Sequence, residues 1–481
     1  MKTFHLNPIP WFLGMLLLIF GCEPEAFTGF SVPTDEDTDV PEDVAGFHLS
    51  KGSCVTYLSP SGRDDTGRLR EALQNAKRGE LIYLRPGIFR IQPIFVTGFD
   101  GYLVGAGMEK TIIEPYGDIS FPMDQDFLEY ASEENPYAFL LSFSGGGVHL
   151  SQMTIRMPEN ITASFSAFGD VYDALGGLVL ITGERISSSI DHVKFQGATG
   201  NFPAPGGKNV INGCYIEAAI NHPNGASGKH KIQSCVFDNI YSGAVAGPAG
   251  YMDYTLGGAP QHGNLFTNVY LGVELTDVPG SRLEITHNTI IEPVLDAINW
   301  QHGIFGTPQA PSQLLFSENN IEIAGSPTAG FFRDLVKLRG GSATMKLNYY
   351  SNHIKMTDTE WAGVAVVGLD HTNVVQNSFS GTGYTGIYLN TASFCRISNN
   401  RMRQLSPSFA SIWLRPATSK NYITAGETDI VVDEGTDNTI IGTTPQKMKG
   451  LQDVEQMADG NLHLISVTVL GNKKSYIKPI Q

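Results

Sequence analysis

Residues 282–291 read Arg282-Leu283-Glu284-Ile285-Thr286-His287-Asn288-Thr289-Ile290-Ile291. Two short apolar alternations flank one asparagine, and the chain repeats this arrangement. Leu314-Leu315-Phe316 stands before Asn319 and Asn320-Ile321-Glu322-Ile323 after it; Asn373-Val374-Val375 precedes Asn377, and Ser378-Phe379 follows. Aligned on one apolar position, the pattern takes in Phe195, Ile216, Phe237, Phe266, Ile290, Ile321, Ile354, Phe379 and Met402, spaced by 21, 21, 29, 24, 31, 33, 25 and 23 residues. Two places earlier stand Val193, Cys214 and Cys235, then Asn264, Asn288, Asn319, Asn352, Asn377 and Asn400. A period of roughly 20 to 35 residues with variable insertions is that of a solenoid. The short β-rich segments make it a solenoid of strands.

Each coil contains three such segments: one before the asparagine, one after it, and one beyond a variable turn. The third set covers 272–275, 297–300, 335–338, 363–366, 386–389 and 411–414. Three segments per coil predict three sheets. The asparagine belongs at the tight corner between the first two, in the left-handed conformation that Asn tolerates. Stacked coil on coil, its amide can donate to one neighbour and accept from the other. This row is read as structural. So are His192, His287 and His353, which fall at the same corner.

The chain has 481 residues, too many for one core of ordinary shape, but a solenoid grows in one dimension. Its 53 Gly and 26 Pro suit a fold of many turns. A net charge of −16 argues against nucleic acid or an anionic membrane surface as partner. Residues 1–22 have the form of a targeting segment: Lys2, an apolar run from Trp11 to Phe20, then Ile19-Phe20-Gly21-Cys22, which resembles a bacterial lipobox. The run is short for a spanning helix, so the expectation is a lipoprotein tethered through Cys22 without crossing the membrane. Glu23 at the following position points to the outer membrane of a Gram-negative envelope. Residues 23–52 are an acidic, Pro-rich tether, similar to surface-export signals of some Bacteroidetes.

Residues 53–115 carry a helix and strands in fixed order. Asp65-Thr66 caps a helix with Leu69, Ala72, Leu73 and Ala76 on one face, and Gly79 stops it. Leu81-Ile82-Tyr83-Leu84, Arg85-Pro86-Gly87, Gly105-Ala106-Gly107 and Thr111-Ile112-Ile113 follow. Here the chain resembles the pectate-lyase-like (pectin lyase fold) superfamily of right-handed parallel β-helices. Members often begin with a helix that plugs the first coil, and asparagine ladders occur at their corners. The resemblance implies an all-β, three-sheet right-handed parallel β-helix over 53–441 of roughly a dozen coils, closed by a cap over 442–481. Its open ends need covering because they expose strand edges and core. Cys54, Cys214, Cys235 and Cys395 match no zinc spacing. Cys214 and Cys235 share a repeat phase and should stack on adjacent coils, either bridged or as free thiols.

In the resembled family the third sheet lines the substrate groove. Strand alternation turns Val273 and Leu275 inward and Glu274 outward. Aligned across coils, one outward column reads Glu274, Asn299, Lys337, Ala365, Tyr388, Trp413; a second reads Thr276, Gln301, Arg339, Val367, Asn390, Arg415. Flanking turns add Asp277, His302, Asp334, Asp370 and His371. Outward aromatics invite stacking, and cations on an acidic protein suit an acidic polysaccharide. For β-elimination of a uronide, Lys337 is the expected base, with Arg339 alongside disfavouring its charged form. Arg339 clamps the sugar carboxylate and stabilises the developing enolate. Asn299, Gln301, Tyr388, Asn390, Trp413 and Arg415 are the expected substrate contacts. No cofactor is required by the sequence; Ca2+ held by Glu274 and Asp277 is the one metal reading. An inverting glycoside hydrolase would need two carboxyls, and Asp277 with Asp296 or Glu274 are the available pairs. A non-catalytic glycan-binding or adhesive protein needs only the aromatic and amide rows. Asp170, Tyr172 and Asp173 fall in a long loop at 156–175 that is able to reach over the groove, and Lys229-His230-Lys231 reads as a solvated basic turn.

Overall fold

A computed structural model describes residues 55–117, 119–121, 139–158, 163–165, 177–183, 186–198, 212–217, 228–246, 252–276, 281–294, 296–301, 313–323, 333–340, 346–357, 360–445, 454–456, 462–464, 467–469 and 472–474. The proposed signal segment and tether, and the loop with Asp170, Tyr172 and Asp173, lie outside the described residues. Thirty-three strands form one hydrogen-bonded network, a right-handed parallel β-helix. Each strand pairs with its counterparts one coil away. Arg282–Thr286 lies between Met252–Gly257 and Gln313–Ser317 in the first sheet. Thr289–Ile291 lies between Leu265–Thr267 and Asn320–Glu322 in the second. Asp296–Gln301 lies between Leu271–Thr276 and Arg333–Arg339 in the third.

One apolar core runs from Leu69 to Val431 inside the coil. Parallel strands in register place like over like at about 4.8 Å, so Phe195, Phe237 and Phe266 stack, with centroids 4.9 and 4.6 Å apart. The helix Thr66–Asn75 buries Leu69 and Leu73 against the start of this core, and Ala72 and Ala76 pack beside them. Its first turn is served by Asp64, whose Oδ1 accepts the Thr66 N–H at 2.9 Å. Asp65, the expected cap, instead accepts the N–H of Ser61 at 3.0 Å. Beyond Thr439–Ile441 the parallel ladder ends. Two antiparallel pairs follow, Val454–Gln456 with Leu462–Leu464 and Val467–Val469 with Asn472–Lys474.

The asparagine row forms a continuous ladder. The Nδ2 of Asn264 donates to Asn288 at 2.8 Å, and the same step recurs at 3.0 Å from Asn288 to Asn319, Asn352, Asn377 and Asn400. Each Oδ1 also takes the backbone N–H of the preceding asparagine, and each Nδ2 reaches back to a carbonyl of the previous coil, as Asn319 does to Ile285. Nearly all the amide's capacity is used, in a buried place where an unmade bond is expensive. The left-handed residue is not the asparagine but the one before it. His287, Glu318, Ser351, Gln376 and Asn399 have φ of 59, 56, 54, 59 and 56°, and Ser234 before Cys235 at the same corner has 51°, whereas Gly263 before Asn264 is extended at −61°. A second, shorter ladder stands at the corner before the first sheet, unanticipated from sequence. Asn421 accepts the Cys395 N–H at 2.8 Å and donates to Asn438 at 3.0 Å.

Cys214 does not belong to the ladder. Asn212–Glu217 is a third-sheet strand in which Cys214 faces Val179 and Ala244. Phe195 pairs directly with Phe237, so one long coil had been divided into two equal halves by a chance apolar residue. Cys235 alone holds the corner, its N–H donating to Asn264 at 2.9 Å, and it is a free, buried thiol.

Candidate functional site

The outward column of the third sheet keeps the expected register at every step: Glu274 with Asn299, Asn299 with Lys337, Lys337 with Ala365, Ala365 with Tyr388, and Tyr388 with Trp413. The strand Val431–Asp433 adds Val432 opposite Trp413. The second column holds from Thr276 through Gln301, Arg339 and Val367 to Asn390. Arg415 continues it, its N–H on the carbonyl of Leu389 at 3.0 Å.

The charges gather on successive coils. Glu274 is desolvated, which pushes its carboxyl above the usual range, and it accepts the Ser242 hydroxyl at 3.0 Å. On the next coil Asn299 and Asp296 are buried. One coil further, the Nζ of Lys337 lies 3.9 Å from Oδ2 of Asp296, with 15% of the lysine side chain exposed. Asp334 sits one coil on from Asp296, at the register position set by Ile298 opposite Val336. Burial pushes its carboxyl up to about 6, against the pull of Lys337 and Arg339. Lys337 thus faces a buried carboxylate as well as Arg339.

The aromatic end differs from expectation more sharply. Tyr388 and Trp413 point outward but are only 2% and 1% exposed. They belong to a second buried cluster with Ala362, Ala365, Tyr384, Ala410 and Val432. The cause is strand length. Ser378–Asn390 and Arg401–Leu414 run unbroken where sequence implied a turn between short segments. They bring Tyr384 and Phe409 against Trp413, at 6.1 and 4.9 Å between centroids. The guanidinium of Arg415 lies 5.0 Å from the Trp413 ring centroid, and the indole Nε1 donates to Glu434 at 3.1 Å. These rings are walls, not open stacking platforms. The outward column read from sequence stops at Trp413 and so leaves out Glu434, although Val431-Val432-Asp433 repeats the apolar phase one coil later and is the available signal.

Cys22, Asp277 and His302 lie outside the described residues, and Gln301 is described in its backbone alone. Glu274, the described half of the metal pair, has surroundings that favour the neutral acid. Among the described residues no group of three or more His, Cys, Asp or Glu side chains is arranged to hold a metal ion. Asn390 is half-buried at the edge of the face. Asp370 accepts the Ser393 N–H at 2.7 Å, and His371 stacks on Phe394 at 5.2 Å. Lys229 and Lys231 are exposed, but they sit on the strand Gly228–Gln233, and His230 between them turns inward to meet the Ser188 hydroxyl at 2.9 Å. The basic turn expected there is therefore a strand with one buried histidine. His287 and His192 lie at corners, with Nδ1 on Glu318 at 3.3 Å and on Asp191 at 2.7 Å.

No protein-family model matches the chain, and no curated protein matches it. Among solved structures it is similar to DFA-IIIase from Arthrobacter chlorophenolicus A6 in complex with GF2, at 12% identity over 75% of this chain and 89% of that one, with a TM-score of 0.41. The mannuronan C-5 epimerase AlgE6 A-module of Azotobacter vinelandii is similar at 12% identity, 79% and 91% coverage and a TM-score of 0.32. The Streptococcus pneumoniae surface protein and adhesin PfbA is similar at 10% identity, 82% and 97% coverage and a TM-score of 0.37. Each is a parallel β-helix protein.

Proposed function

We propose that this protein is a lipid-anchored envelope protein that cleaves an acidic, uronic-acid-containing polysaccharide by β-elimination on its third sheet. The observation that carries the reading is the gathering of Lys337, Arg339, Asp296 and Asp334 on two successive coils of an otherwise acidic chain. Elimination needs a fixed positive charge on the sugar carboxylate and a group able to exchange a proton near neutrality. Lys337 and Arg339 supply the first. Asp334, pushed up to about 6, supplies the second and is the base in this reading. Asp334 accepts the C5 proton, the released pair forms the C4–C5 double bond, and the C4–O bond breaks with its oxygen taking up a proton from solvent water. The anchor is Cys22, the destination the outer membrane.

A second reading rests on the same two aspartates. Equivalent positions on adjacent parallel strands lie about 4.8 Å apart. Two carboxyls on adjacent coils are the pair that glycoside hydrolysis requires, and Asp296 and Asp334 would supply it. Purified protein incubated with a panel of uronic-acid polymers separates the cases. Rising ultraviolet absorbance from unsaturated uronide supports elimination; new reducing ends without that absorbance support hydrolysis. Binding with neither signal would leave a glycan-binding protein and sink both catalytic readings. Retention of the Cys22→Ala protein in the membrane fraction would refute the anchor.

A further inference from the structure

Three buried polar atoms on the third-sheet face have no hydrogen-bond partner among the described residues: Oδ1 of Asp334, the hydroxyl of Tyr388 and Nη1 of Arg415. They are neighbours. The charges of Arg415 and Asp334 both act on the Tyr388 phenol, although Asp334 lies two coils before it and Arg415 one coil after. The coil between Asp334 and Tyr388 presents the small side chains of Ala362 and Ala365 to this cluster, with Val367 packed against its edge. The Tyr388 ring is fixed against Trp413 at 5.2 Å, so its position is set by packing and not by its hydroxyl. Arg415 is held by Glu434 at 3.8 Å, beyond hydrogen-bond reach, and by the Trp413 face. Buried polar groups in folded proteins are nearly always paired. One acceptor and two donors left open together, on rigid supports, mark a place where a ligand completes the bonding.

We infer that the Tyr388 hydroxyl and the Arg415 guanidinium form a second anion-binding pole, which takes a carboxylate and an adjoining hydroxyl of an extended acidic sugar chain. This rests on the acidic-polysaccharide reading above and adds a length requirement to it. Arg339 and Arg415 occupy one register column with Val367 and Asn390 between them, three coil steps and so about 14 Å apart. A single uronide or a small anion reaches one pole. An oligosaccharide lying along the coil axis reaches both.

The test uses the full-length protein, with affinity measured by titration calorimetry for monomeric uronic acid and for a series of oligouronides of increasing length. Wild type should bind the longer members more tightly, with a step in affinity at the length that spans both poles. Tyr388→Phe removes one oxygen and leaves the ring packing. It should lower affinity for the long oligouronides by about five- to tenfold, remove part of the step, and leave the shortest binders unchanged. Because the hydroxyl has no hydrogen-bond partner among the described residues, its melting temperature should be equal to or above that of wild type, which a merely structural phenol would not allow. Arg415→Gln should abolish the step. If wild type shows the step and Tyr388→Phe binds every length as wild type does, the second pole is refuted while the polysaccharide reading stands. If wild type binds no oligouronide of any length, that reading fails, and the second pole with it.

Discussion

The outer faces of the second and third sheets climb the same coils under the same geometry, yet their polar groups end up in opposite conditions. On the second sheet Glu114 accepts from Arg90 on one side at 2.9 Å and from Arg156 on the other at 2.7 Å. Higher up, Asp238 takes the Gln196 amide at 3.4 Å and the Thr267 hydroxyl at 3.0 Å, and Lys355 meets Glu322 at 2.7 Å. Each acid there has a partner one coil away, at a spacing the parallel ladder supplies without adjustment. On the third sheet the ion pairs are long, 3.9 Å for Lys337 with Asp296 and 3.8 Å for Arg415 with Glu434. Burial raises the carboxyls of Glu274, Asp334 and Glu434, and three atoms have no hydrogen-bond partner among the described residues. A stack that completes itself is construction. A stack that stays incomplete although the geometry would allow completion points to a ligand.

Substitutions can break this contrast. Lys337→Met should lower kcat/KM on the responsive polymer by at least about a hundredfold. Lys355→Met, which removes a lysine from the self-paired column, should leave turnover unchanged and cost under about 1 kcal/mol. Equal losses in the two variants would dissolve the distinction. Glu114→Ala should do the reverse of Lys337→Met. Two arginines lose their shared acceptor, stability in urea falls by about 2–3 kcal/mol, and activity per folded molecule is unaltered.

The smallest effect concerns protons. The folded-state value of Asp334, about 6, lies above the ordinary aspartate value near 3.8, so the folded protein keeps this proton longer than the unfolded chain does. Its contribution to stability is complete below about pH 4 and is lost as pH rises through about 6. Asp334→Asn should therefore gain on wild type across that window, by at most about 3 kcal/mol. Denaturation midpoints collected from pH 4 to 7 would show it; parallel profiles for the two proteins would mean that Asp334 is not the shifted group.

Much of this contrast was legible in the chain. Alternation in six short segments placed every residue from Glu274 to Trp413 on the correct side and in the correct register, because a period of two leaves no freedom once one position is known. What alternation does not carry is cover. Tyr388 and Trp413 do point outward but are covered, and nothing in their own segments reveals that Tyr384 and Phe409 come over them. Nor does pattern distinguish the residue that bends from the residue that bonds. The corner needs both, and they are adjacent: His287 turns the chain and Asn288 ties it. Lys337, Arg339 and Asp334 are visible as residue types, while the Asp296 carboxylate that Lys337 faces lies on another coil and only folding brings it near. The shorter ladder went unseen because Cys395 opens it and Asn421 and Asn438 alone complete it.

The main ladder also has consequences for how the molecule opens. It covers the coils from Asn264 to Asn400, while the corners before it carry Val193 and Met153, which offer no amide to the next coil. A solenoid responds to stress coil by coil, since each coil touches only its neighbours. The tied coils should therefore exchange their amide hydrogens together, as one cooperative block, and the coils around 147–196 should open earlier and separately. Lys337, Arg339 and Asp334 all lie within the tied block. The candidate site is thus mounted where the spring is stiffest, and it would keep its spacing while the earlier coils breathe.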